Sequence, residues 1–167
     1  MKSKYILGTL ILLVLLAGVV WIARPGENGT NSQARLNGTT EKGDLGTTET
    51  FYDFGSISMA AGNVSRVFTV KNMGSGPITI EKMYTSCMCT TAILRGEREW
   101  GPYGMPGHGF TGTMKEKLEP GEEAKVQVIF DPAAHGPAGV GKIERSVYLE
   151  NDGGANLELQ FTATVTP

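Results

Sequence analysis

Two cysteines separated by a single residue, Cys87-Met88-Cys89, form the most chemically loaded string in this sequence. On an extended segment, residues i and i+2 point to the same side, so both sulfurs can converge on one point. Three chemistries fit such a pair. Two thiolates flanking a thioether make a soft site suited to copper(I). A Cys-x-Cys disulfide closes a short, strained ring, which makes it reducible and suited to thiol exchange. Alternatively the pair is structural, either as a disulfide or as two small buried apolar side chains.

A second segment weighs on that choice. Trp100-Gly101-Pro102-Tyr103-Gly104-Met105-Pro106-Gly107-His108-Gly109-Phe110 gathers a methionine, a histidine and three aromatics, and Met114 follows. Thioether and imidazole are copper ligands, and Gly/Pro punctuation can hold such a loop in one shape. The sharpest expectation is therefore one soft ion, copper(I), held by Cys87 and Cys89 with Met105 or His108 completing the site. The plain alternative is that Trp100, Tyr103 and Phe110 form a small satellite core while His108 lies exposed. His135, in Asp131-Pro132-Ala133-Ala134-His135-Gly136, sits on another turn and reaches the same end only if the topology allows it. A four-ligand zinc site would need Cys87, Cys89, His108 and His135 together. Blue copper needs two histidines, one cysteine and an axial methionine with the late ligands clustered, and no such cluster is present. Nor is there a nucleophile elbow, an H-E-x-x-H string or a phosphate-cradling glycine motif. Glu119, Glu122 and Glu123 flank a turn, where charge is normally solvated. An enzyme is not expected.

The elements that must position these residues follow from composition and period. The chain has 167 residues, 15 Lys+Arg against 17 Asp+Glu, 23 Gly and 8 Pro. That allows one domain with appendages, rich in turns, and excludes a nucleic-acid surface, which needs a clustered basic face. Tyr5 to Ala23 carries no charge; as a helix it would span about 28 Å, close to the hydrocarbon thickness. Bulky Trp21 suits an interfacial position better than a cleavage site, so the expectation is an uncleaved signal-anchor over 5–23 behind a cytoplasmic stub over 1–4. Lys2 and Lys4 on the amino side place the rest of the chain outside the cytoplasmic membrane, in a single-pass arrangement. Residues 24–48 are poor in apolar side chains and read as a flexible linker. The folded domain is expected over 49–167.

Within it the period is two. Leu157, Leu159, Phe161, Ala163 and Val165 share one face, and so do Ala124, Val126, Val128 and Phe130. Val64, Phe68 and Val70 alternate with polar residues, and Ile78 and Ile80 follow a Gly-Ser-Gly-Pro turn. Ile143, Val147 and Leu149 share a face on which Arg145 is the one charged intruder. Such alternation, punctuated by turns, marks antiparallel strands and predicts an all-β, immunoglobulin-like antiparallel β-sandwich with one long insertion over 94–118. The string Phe51-Tyr52-Asp53-Phe54-Gly55-Ser56-Ile57, then VFTVKNMGSGPITIEKMYTSCMCTTA and LEPGEEAKVQVIFDP, resembles the bacterial domain of unknown function 1573 family, which is related to the ASH and Hydin-type modules. The sequence departs from that pattern at Met88, where the family has Gly, and in the loop over 95–117. The resemblance implies the fold and the extracytoplasmic location, and no settled activity. The functional expectation is an anchored extracytoplasmic module with a soft-metal site at Cys-Met-Cys. The alternatives are a cofactor-free module that binds a protein partner by strand addition or loop contacts, and a thiol–disulfide module.

Overall fold

The computed structural model describes residues 41–167. The stub over 1–4, the span over 5–23 and the linker as far as residue 40 lie outside the described residues. Among the described residues no helix is long and apolar enough to cross a membrane. The expected linker is shorter than 24–48 at its carboxyl end: Leu45–Thr47 forms strand β1, with Leu45 buried. One apolar side chain in a Gly/Thr-rich stretch suffices here because an edge strand borrows its hydrogen bonds from a neighbour.

The described residues form ten strands in two sheets of five. The others are β2 (Phe51–Ser58), β3 (Val64–Asn72), β4 (Ile78–Thr85), β5 (Thr90–Arg95), β6 (Glu99–Tyr103), β7 (Thr113–Leu118), β8 (Glu123–Phe130), β9 (Gly141–Asn151) and β10 (Leu157–Thr166). One sheet runs β1-β3-β8-β5-β6 and the other β2-β10-β9-β4-β7. The predicted alternation reappears as burial. Ala124, Val126, Val128 and Phe130 meet Leu159, Phe161, Ala163 and Val165 in one core, which Phe68, Val70, Ile78 and Ile80 complete. The pairing is antiparallel with one exception, β2 against β10.

The long insertion expected over 94–118 is mostly strand. β6 folds back on β5, and β7 joins the edge of the other sheet with Met114, Glu116 and Leu118 turned inward. Glu116, a charge on the inward face, hides the alternation of β7 in the sequence. Residues 96–98 make the β5–β6 turn, and residues 104–112 remain loop.

The register fixes which ends of the strands meet. Thr90 faces Phe130, so the start of β5 adjoins the end of β8. The Thr85 N–H donates to the Gly104 carbonyl (3.2 Å), which places the segment after β6 beside the end of β4. Four connections cross between the sheets at this one end: residues 86–89, flanked by 104–112 on one side and by 131–140 and then 59–63 on the other. Leu45 pairs with Asn72, at the far end of β3, so the chain enters the sandwich at the opposite end.

Candidate functional site

Cys87 and Cys89 occupy the 86–89 connection, a tight corner held by its own backbone. The Thr90 N–H donates to the Cys87 carbonyl (3.1 Å), and the Asp131 N–H donates to the Cys89 carbonyl (2.9 Å). Ser86 and Ser146 exchange two bonds: Ser86 N–H to the Ser146 carbonyl (2.9 Å) and Ser146 N–H to Ser86 Oγ (2.9 Å). Thr85 Oγ1 lies 2.9 Å from the Cys87 carbonyl and 3.0 Å from the Thr90 carbonyl, so its one proton is shared between them. In this frame the two sulfurs lie at disulfide distance, with the Cα atoms 5.3 Å apart. Cys87 and Cys89 are 8% and 3% exposed, whereas Met88 between them is 50% exposed.

Each sulfur has a nitrogen beside it. His135 Nε2 lies 3.1 Å from Cys87 Sγ, and Arg145 Nε lies 3.4 Å from Cys89 Sγ. A disulfide sulfur carries no proton, so in this state the imidazole N–H is the donor to Cys87. The Cys89 N–H also points at Cys87 Sγ (3.3 Å), and Thr90 Oγ1 lies 3.6 Å from Cys89 Sγ. Arg145, the charged intruder on the inward face of β9, thus ends at a sulfur. It makes no ion pair among the described residues; its other hydrogen bond there goes to the Glu144 carbonyl (2.7 Å). Sequence alone marked Arg145 as out of place but gave it no partner.

Of the two histidines, it is His135 and not the expected His108 that meets the cysteines. Cys87, Cys89 and His135 place their ligand atoms within 4.8 Å of one another; His108 is exposed in the 104–112 loop and does not join them. His108 sits on the opposite flank of the same end, where its N–H closes a turn on the Met105 carbonyl (3.0 Å). Met105 is half-buried in that turn. The aromatics there form no separate core: Tyr103 and Trp100 pack with the main core, and Phe110 is 66% exposed. Tyr103 is buried and stacks on Phe110 with ring centroids 5.5 Å apart, and burial pushes its phenol pKa up. Trp100 Nε1 donates to Glu116 Oε2 (2.7 Å).

A cleft of about 360 Å³ opens beside the cysteine corner, between the turn after His135 and β9. Its walls include His135, Val140, Lys142, Ile143 and Arg145, and none of its lining residues carries a carboxylate.

The architecture defines an immunoglobulin-like β-sandwich with a cysteine corner at one end. Residues 45–99 match the family model described as Protein of unknown function (DUF1573), so the resemblance carried by the motifs holds over that segment. No curated protein matches the sequence. Among solved structures, the chain is similar to a protein of unknown function from Porphyromonas gingivalis W83, with 14% identity and a TM-score of 0.56 over 74% of this chain and 47% of that one. The chain thus spans about half the length of that relative. It is also similar to the ASH/PapD-like domain of human CEP192 (13% identity, TM-score 0.44, 75% and 87% covered). A third is the sporulation control protein Spo0M from Bacillus subtilis (20% identity, TM-score 0.41, 75% and 49% covered). At these identities the likeness is one of fold.

Proposed function

We propose that this chain is a membrane-anchored, extracytoplasmic redox module in which Cys87 and Cys89 exchange between disulfide and dithiol, stoichiometrically rather than as a turnover enzyme. The observation that carries the reading is the pairing of each sulfur with its own donor, His135 for Cys87 and Arg145 for Cys89. A neighbouring imidazolium or guanidinium favours thiolate over thiol, and the thiolate is the form that exchanges. A buried structural disulfide needs no such partners. An incoming thiolate forms a bond to Cys87 Sγ, the more exposed of the two, and the Cys87–Cys89 bond breaks. The electron pair leaves on Cys89 Sγ, where the Arg145 guanidinium receives the charge. A second thiolate from a dithiol donor then releases Cys87 and carries away the disulfide.

The test is redox titration of the full-length chain in detergent, with thiols counted by alkylation. Two thiols should appear together as the dithiol excess rises. At neutral pH the reduced pair should alkylate about tenfold more slowly in His135→Ala at Cys87 and in Arg145→Gln at Cys89, because less thiolate is present. A pair that stays closed against excess dithiol in the folded chain would overturn the reading, as would thiols indifferent to both substitutions.

A second reading rests on the three ligand atoms within 4.8 Å of one another. Once reduced, Cys87, Cys89 and His135 would offer a soft ion such as copper(I) two thiolates and an imidazole, with His135 in the place expected of Met105 or His108. Arg145 opposes it by setting a positive charge beside Cys89. One equivalent of copper retained by the reduced chain, and lost in Cys87→Ser, would favour this reading.

A further inference from the structure

The cleft beside the corner narrows what can reach the disulfide. We infer that it selects small anionic thiols as the exchange partners of Cys87–Cys89, an inference that rests on the exchange reading above. His135 and Arg145 line the cleft and also contact the two sulfurs, so a molecule seated there is adjacent to the reacting bond. Lys142 adds a second permanent positive charge, and no carboxylate in the lining offsets it. Neither Lys142 nor Arg145 makes an ion pair among the described residues, although Lys142 also borders an adjoining cleft with Asp53 and Glu144. The chain as a whole carries a net charge of −2, so its general field does not attract anions and any preference for them must arise locally. Val140 and Ile143 supply an apolar wall for the carbon skeleton. The ligand class is therefore a short aliphatic thiol bearing a carboxylate or sulfonate a few bonds from sulfur. Its thiolate attacks Cys87 Sγ, a mixed disulfide forms, and Cys89 leaves as thiolate beside Arg145; the proton of the incoming thiol has already gone to solvent.

Three probes on one skeleton test this: 2-mercaptoethanesulfonate, 2-mercaptoethanol and 2-aminoethanethiol. Mixed-disulfide formation on the full-length chain is followed by mass, and rates are compared per thiolate with allowance for intrinsic nucleophilicity. The anionic probe should react about tenfold faster than the neutral one at low salt, the cationic probe slowest, and the ratios should contract as ionic strength rises. Lys142→Glu, at an exposed position of β9, should abolish or reverse the order. Arg145→Gln should lower the anionic-to-neutral ratio, and Lys117→Gln, paired with Glu119 on the far sheet edge, should leave it unchanged. Equal rates per thiolate, or an order unaltered in Lys142→Glu, would overturn the cleft while leaving the exchange reading standing. Failure of all three probes to open the disulfide would overturn both.

Discussion

Thr85 is 1% exposed, and its hydroxyl proton is shared by the carbonyls on either side of the cysteine corner. Thr85→Val keeps the shape and removes the donor, so the Cys87 carbonyl keeps only the Thr90 N–H and the Thr90 carbonyl loses the hydroxyl; a loss of about 1–3 kcal/mol is expected from urea unfolding. Because the lost bond ties the corner and not the core, the disulfide should also be reduced faster in this variant. A stability change with no change in reduction rate would show that the corner is held by the Ser86–Ser146 and Asp131–Cys89 bonds alone. The cysteine pair was legible as a candidate from its spacing, because side-chain direction on an extended segment is a local property. The choice of His135 over His108 was not. Both are single histidines on turns, equivalent as ligands, and only the register of β8 and β9 decides which turn lands on the sulfurs. Arg145 gave a partial signal, a charge on an apolar face, but the sulfur that accommodates it is remote in sequence.

Glu116 does for two strands what Thr85 does for a corner. Its carboxylate, 2% exposed, accepts the Glu97 N–H (2.6 Å) and Trp100 Nε1 (2.7 Å), tying β7 of one sheet to the β5–β6 hairpin of the other. Gly96 is required at that hairpin because a Cβ would overlap the Glu116 carboxylate. Glu116→Leu leaves two donors facing hydrocarbon and is expected to cost about 3 kcal/mol in urea unfolding, since bonds to a charged acceptor are worth more than neutral ones. Gly96→Ala should destabilise through the same contact, and the double variant Gly96→Ala/Glu116→Leu should cost less than the sum of the singles. Strict additivity would mean the two do not meet. This clamp explains why β6 and β7 were missed in the sequence. Their inward residues include a carboxylate and a tryptophan hydrogen-bonded to it, so the alternation that exposed β8 and β10 is interrupted where the two sheets are pinned together.

At the scale of the whole molecule, the sandwich itself was readable because period-two burial is written residue by residue, as in Ala124–Phe130. Its topology was not, since nothing in a strand's own sequence reports its neighbour; the parallel pairing of β2 with β10 is the clearest case. The location proposed from residues 5–23 has a direct test. Protease added to intact spheroplasts should remove the domain, and full protection would place it on the cytoplasmic side. The opposed ends of the sandwich then set a reach. The described chain begins by pairing Leu45 with Asn72, while the cysteine corner lies beyond the other end of the same β3, nine residues away and so about 30 Å at the usual rise per residue. Root and reactive tip are thus separated by the full height of the sandwich. A thiol that exchanges with the pair therefore meets the domain at the end remote from the point where the described chain enters it.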